Sequence, residues 1–406
     1  MIAFIHADLI DGIHDSVQKD RTVLVSGDRI STVGTVEIPE GTTVIDLRGK
    51  TLMPGLIDAH THIGGNAGFH HPPHTGRIHS YDFAEAREQF LSWGVTTVRD
   101  AGSFMPDCLE IRDAIEKGML RGPRIVAAGR MIQAEGSHPW NSVLFQNPEV
   151  REHELFFVKP DATEAELRDL IDQEVSEGTD WIKLVSSDDN CMNWPEHLPR
   201  LTEKQMKVMV DEAHRHGKPV LIHCDDFADM KMAVDAGADS VEHVINNGAQ
   251  TGHIPQKDLL NKMKEKNCWS VPTMVATMRH DGSIKEAEKV MPYVLKGVRA
   301  MLESGVRIGV GCDSGIPFVP FGESLHDELK LLTEVGMAPL EAVNAATSGN
   351  AELLRISELT GSVEAGKKAD LVVVDGDPSK DIEDTRKICM VMKDGEVVLD
   401  HLLCRE

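Results

Sequence analysis

His60 and His62 stand one residue apart at the end of a short apolar run, in the stretch Pro54-Gly-Leu-Ile-Asp-Ala-His-Thr-His62. On a β-strand, residues i and i+2 face the same side. Two imidazoles at the carboxyl end of a buried strand could therefore grip one metal ion. Spacing alone is weak evidence in a chain with 19 His. What strengthens it is that further candidate ligands accompany later apolar runs. Lys183 sits inside Trp181-Ile-Lys-Leu-Val, and His223 ends Val220-Leu-Ile-His. His243 ends Ser240-Val-Glu-His, and Asp313 ends Ile308-Gly-Val-Gly-Cys-Asp.

Four imidazoles, one carboxylate and one lysine would suit two divalent metals. The lysine is the odd member, because an ammonium would repel the ions. Burial near two cations depresses its pKa and favours the neutral amine. A neutral amine can capture carbon dioxide as a carbamate, an anionic bridging ligand. A lone lysine would more simply pack its stem and send its head outward. Five other ligands at matching strand ends argue against that simpler reading.

These residues need elements to carry them. Between residues 52 and 354, apolar runs at 52–62, 95–100, 124–132, 181–185, 220–224, 240–244, 269–274 and 308–313 alternate with amphipathic stretches such as 163–177 and 203–216. Eight strand–helix alternations predict an α/β fold, a (β/α)8 TIM barrel with its active site at the carboxyl ends of the strands. A doubly wound sheet is the alternative, but no Gly-rich phosphate fingerprint follows the first strand. Both chain ends instead show short β-rich runs punctuated by Asp11-Gly12, Gly27-Asp28 and Asp394-Gly395. They predict a small composite β-sandwich from residues 1–53 and 360–406 around a barrel at 54–359. The loop 64–80, with His70, His71, His74 and His79, is expected over the barrel mouth.

The bulk numbers exclude several classes. With 42 Lys and Arg against 66 Asp and Glu, the formal net charge is −24, which disfavours nucleic acid or an anionic membrane as partner. Seven Cys without paired spacing read as free thiols of a reducing compartment. No signal peptide and no uninterrupted apolar span is apparent, so a cytoplasmic location is expected.

The set resembles the amidohydrolase superfamily, specifically its binuclear members related to Xaa-Pro dipeptidases (prolidases) and imidazolonepropionase-like hydrolases. The motifs that carry it are Pro54 to His62, Ile182-Lys183-Leu184, Leu221-Ile222-His223, Val241-Glu242-His243 and Gly311-Cys312-Asp313-Ser314-Gly315. The closing segment Gly361-Ser-Val-Glu-Ala-Gly-Lys-Lys-Ala-Asp-Leu-Val-Val adds to them. The resemblance implies His60, His62 and Asp313 on one metal, His223 and His243 on the other, and carbamylated Lys183 bridging, with zinc the usual metal. It implies a hydrolase cleaving an amide, peptide-like, N-acyl amino acid or related C–N bond through a metal-bridging hydroxide. Asp313 then takes the proton and passes it to the leaving nitrogen. His138, in Glu135-Gly-Ser-His-Pro-Trp140, matches the place of a substrate-facing His.

The sequence departs from the prolidase-like pattern after His223. There an aromatic commonly helps hold a substrate carboxylate, whereas this chain runs His223-Cys224-Asp225-Asp226. Asp225 is expected at the rim, where its charge would disfavour carboxylates, which puts ordinary dipeptidase activity in doubt. Its simpler role, shared with Asp226, is at a helix N-terminus. A cyclic-amide hydrolase (lactam or imidazolone type) is the alternative activity, and a non-catalytic barrel homologue the reading from another class. A small-molecule substrate and a homo-oligomeric assembly complete the expectation.

Overall fold

The computed structural model describes residues 1–64, 83–102, 104–141, 151, 153–188, 197–243, 254–279, 284–316 and 318–402, with 284–289 as backbone only. The expected loop 64–80 therefore lies, beyond Gly64, outside the described residues. The first strands are β1 (Ile2–Leu9), β2 (Gln18–Ser26), β3 (Arg29–Gly34), β4 (Thr43–Asp46) and β5 (Thr51–Pro54). A second group follows: β6 (Leu56–Thr61), β7 (Val95–Asp100), β8 (Arg124–Ala127), β9 (Met131–Ala134), β10 (Leu155–Val158), β11 (Ile182–Ser186), β12 (Val220–Cys224), β13 (Ser240–His243) and β14 (Trp269–Val271). The chain closes with β15 (Leu371–Val374), β16 (Ile388–Lys393) and β17 (Glu396–Asp400).

Strands from both chain ends share one eight-stranded sheet, in the order β17-β16-β15-β5-β1-β2-β3 with β4 also on β1. The β16–β17 hairpin turns at Asp394-Gly395, with φ of 48° and 77°. Two positive values are what a tight type I′ hairpin turn requires. Alternation divides β15 and β5 between two cores. Leu371, Val373 and Leu52 pack with Phe4, Val23 and Met390, while Val372, Val374 and Met53 join the main apolar cluster. One face of this sheet thus closes its own small core, and the other packs on the α/β part of the chain.

The middle of the chain is α/β with parallel strands. They form a three-stranded ladder β6-β7-β8 and a six-stranded one, β10-β9-β11-β12-β13-β14. Among the described residues these ladders do not join into the single closed barrel that eight runs predicted. Three runs behave differently from expectation. The run 52–62 breaks at Gly55 between two sheets, with Gly55 N bonded to Asp370 O and Leu56 N to Gly94 O. The run 124–132 breaks at Gly129, whose φ of 70° turns the chain between β8 and β9. The run 308–313 forms only an isolated bridge, Ser270 with Ile308, followed by Thr61 with Ser314.

That last departure has a visible cause. Asn350 Oδ1 accepts from Val310 N at 2.9 Å, and its Nδ2 donates to Val310 O and Ile57 O at 2.7 and 2.6 Å. Asp58 Oδ1 accepts from Cys312 N at 3.2 Å. Side chains thus occupy backbone groups that a regular ladder would use. The segment still runs against β6, because Asp313 N donates to His60 O and His62 N to Ser314 O, at 2.8 and 2.7 Å. The approach is so close that a Cβ on Gly311 would sit 2.7 Å from His60 N, and one on Gly315 would collide with His62 O.

Two predicted helices form where local chemistry starts them. Thr163 and Thr202 each make a capping box, with Glu166 and Gln205, ahead of Glu164–Glu177 and Glu203–Arg215. Among the described residues, no helix is long and apolar enough to cross a membrane.

Candidate metal centre

His60, His62 and Asp313 converge at the carboxyl end of β6. One potential ligand atom from each lies within 4.8 Å of the others. Asp313 Oδ1 is 3.4 Å from His60 Nε2 and 3.2 Å from His62 Nε2. The ring of His243 lies 4.6 Å from that of His60 and 4.4 Å from that of His223, and His138 stacks 4.7 Å from His223. The four imidazoles named from strand ends therefore form one continuous cluster, with His138 at its His223 side.

Each of the four imidazoles has one nitrogen held by a protein oxygen. His60 Nδ1 is 2.6 Å from Glu242 Oε2, and His62 Nδ1 is 2.6 Å from Gly102 O. His223 Nε2 is 3.0 Å from Asp225 Oδ1, and His243 Nδ1 is 2.7 Å from Thr273 Oγ1. This arrangement orients a ring and leaves its second nitrogen as the candidate ligand atom.

Two atoms test whether the cluster suits a cation. His60 Nε2 and Asp313 Oδ1 are both buried, and neither makes a hydrogen bond in the structure. Buried polar atoms are rarely left so, because the cost is on the order of 1–3 kcal/mol each. A divalent ion accepting both would remove that cost, so the donor set fits a metal.

The electrostatics agree. Burial pushes His60 down to about 4, helped by the charge of Lys183, so its ring is neutral. Burial opposes charge on His62 too, but Asp313 beside it outweighs this and raises its pKa. Asp313 is held well below the usual carboxylate range, the surrounding imidazoles overcoming its burial. Lys183, on β11 and 1% exposed, is brought down to about 8 by burial, against the pull of Glu242 and Asp313. Its amine is therefore partly neutral near physiological pH.

The sequence profile of the amidohydrolase family matches residues 51–398. The chain belongs to the amidohydrolase family. It is accordingly a hydrolase acting on carbon–nitrogen bonds, in a family that is generally metal-dependent. Ochratoxinase of Aspergillus niger is 25% identical over 98% of this chain and 86% of its own length. Imidazolonepropionase of Fusobacterium nucleatum is 23% identical, over 88% of this chain and 86% of its own length. A crystal structure of a Xaa-Pro dipeptidase with bound methionine in its active site superposes with a TM-score of 0.82. It is 28% identical and covers 98% of this chain and 99% of that one.

Within this amidohydrolase frame, Asp225 stands where the sequence did not put it, while Asp226 takes the helix N-terminal place that the sequence offered. Asp225 is not open at a rim. It is 3% exposed, with one oxygen on His223 and the other accepting from Ser187 Oγ. Burial opposes its charge, but His223 and His138 hold its pKa below the usual range. Asp226 is the N-cap of the helix Phe227–Ala236, accepting from Ala228 N and Asp229 N at 2.8 Å.

Glu242 and Arg99 were missed. Both are fully buried, and Arg99 Nη2 donates to Glu242 Oε1 at 2.8 Å. Burial disfavours the Glu242 carboxylate, yet Arg99 and His60 bring it down to about 2. Arg99 also donates to Ala59 O at 2.6 Å and lies over the Trp181 ring. The available signal was a charged residue within a short strand, at Arg99 in β7 and at Glu242 beside His243 in β13.

Backbone strain marks the same place. His243, Thr273 and Asp313 have φ of 69°, 44° and 60°. A non-glycine residue in the left-handed region costs on the order of 1–3 kcal/mol and persists where its surroundings over-determine it. Here His243 and Asp313 are themselves candidate ligands, and Thr273 touches the His243 ring.

Proposed function

We propose that this amidohydrolase cleaves an open-chain amide, peptide-like or N-acyl amino acid, of a small molecule at a two-metal centre. His60, His62 and Asp313 would hold one ion and His223 and His243 the other, with carbamylated Lys183 between them. The observation that carries this reading is the facing pair His60 Nε2 and Asp313 Oδ1, buried, 3.4 Å apart and without hydrogen bonds. The ions, zinc being usual for such sets, would acidify a water and draw electron density from the scissile carbonyl.

The protein residues do the rest. Asp313 takes the proton of the attacking water on a carboxylate oxygen and delivers it to the leaving nitrogen. From its neutral amine, Lys183 reaches its bridging form by adding the nitrogen's free pair to the carbon of carbon dioxide and releasing one N–H proton to solvent, and burial favours the neutral amine that this needs. His138, whose ring lies 4.7 Å from that of His223, would donate to a substrate carbonyl or carboxylate. Asp225 keeps the His223 ring oriented rather than selecting the substrate.

We also take the parallel strands as one (β/α)8 barrel at 54–359, with 1–53 and 360–406 as the composite β domain. Supporting this, Trp181 N donates to Ala127 O at 3.1 Å between the two ladders. The 308–313 segment also bonds to both Ser270 and β6. Such a barrel would place all the named ligands at one end.

The test is a screen of N-acyl amino acids, dipeptides and cyclic amides with protein purified without chelator, beside metal quantification. Hydrolysis of open-chain amides with stoichiometric divalent metal, lost in Asp313→Asn, is expected. No bound divalent metal, or turnover of cyclic amides alone, overturns the proposal.

A further inference from the structure

Thr273 follows β14 and is 1% exposed, with a φ of 44° that a β-branched side chain rarely tolerates. Its Oγ1 is 2.7 Å from His243 Nδ1. Directly after it begins the short helix Met274–Arg279. The first two amides of that helix, Met274 N and Val275 N, donate to Oε1 and Oε2 of Glu328 at 3.0 and 2.8 Å. Glu328 is fully buried and comes from a different helix, Glu323–Glu334. One carboxylate therefore clamps the peptide groups on the carboxyl side of Thr273 and holds the turn in its strained form.

We propose that Glu328 is a positioning residue of the metal centre, acting through Thr273 on His243. The reasoning is geometric. In this turn the Thr273 hydroxyl is directed at the His243 ring, and the backbone of the turn sets where that hydroxyl starts from. With Thr273 Oγ1 accepting from Nδ1–H, Nε2 of His243 keeps its lone pair and is the candidate ligand atom. Without the clamp, the turn relaxes toward an ordinary φ and the hydroxyl leaves the ring. The inference rests on His243 being a metal ligand, as proposed above.

Cobalt(II) titration of metal-free protein, read by its d–d absorption, tests this with thermal unfolding of the same samples as a control. Glu328→Ala and Thr273→Val should each weaken one cobalt equivalent about 10–100-fold and leave the other unchanged. The double variant should be no weaker than the worse single one, since both act along one path. Thr273→Ser, which keeps the hydroxyl, should bind within a few-fold of the parent. If Glu328→Ala does not fold, Glu328→Asp, too short to reach both amides, should still weaken the same equivalent several-fold. Lower thermal stability with both affinities unchanged would make Glu328 a structural cap only, and additive losses would break the link to Thr273. His243→Ala separates the two levels. If it keeps both affinities, the ligand assignment fails. If it loses one while the Glu328 variants lose none, only the relay fails.

Discussion

Asp225 Oδ1 lies 3.0 Å from Nε2 of His223, and Asp225 is almost completely enclosed beside the mostly covered imidazole. The carboxylate is therefore spent on the imidazole, where it fixes the ring and adds basicity to the opposite nitrogen. A charge so committed has little left to impose on a substrate.

Asp225→Ala should accordingly lower kcat/KM for a neutral amide and for an N-acyl amino acid by the same factor, on the order of 10–100, and weaken metal binding in parallel. Steady-state kinetics on the two substrates decide it. A gain confined to the carboxylate-bearing substrate would return Asp225 to a substrate-facing role.

Glu242 ties two buried cationic or polar groups together, Arg99 on one oxygen and His60 on the other. Glu242→Gln leaves the Arg99 guanidinium buried without its counter-charge. Loss of one partner of such a pair costs about 3–5 kcal/mol. Denaturant titration should show a loss of this size with weaker metal retention at His60. A change under about 1 kcal/mol would mean that water or another acceptor replaces the carboxylate.

Lys183→Ala should remove at least one metal equivalent and nearly all turnover while the fold persists, since a single buried side chain is shortened at a strand centre. Small carboxylic acids at high concentration should restore part of the activity by standing in for the carbamate. Metal content and rate equal to the parent protein would exclude Lys183 from the site.

His326 provides a pH window away from the site. Its Nδ1 lies 2.8 Å from Thr385 Oγ1 and its Nε2 3.0 Å from Trp93 O, and burial lowers it from 6.5 to about 4. Between those values the unfolded chain binds a proton that the folded one refuses. Its contribution is therefore intact above pH 6.5 and is lost progressively as the pH falls to 4, about 3 kcal/mol in all. Unfolding free energies of the parent and of His326→Gln, followed from pH 7 to pH 4, should diverge by this amount in total. Parallel curves would remove His326 from the acid response.

Much of this protein is written locally. Short apolar runs mark most of the parallel strands, and Thr163 and Thr202 start their helices through contacts three residues away. Reading polar residues at strand ends was enough to name His60, His62 and Asp313, because a strand end places whatever follows it at one face of the sheet. The partners of these residues could not be read that way. Glu242 meets His60 across 182 positions, and Asn350 occupies the amide of Val310 from 40 positions away. Asp225 is near His223 in sequence, yet its second oxygen is taken by Ser187, just after the neighbouring strand. Strand alternation and helix caps depend on a few neighbouring residues, and a single sequence carries them. Which group satisfies a buried charge depends on which strands become adjacent, and only the packed chain decides that.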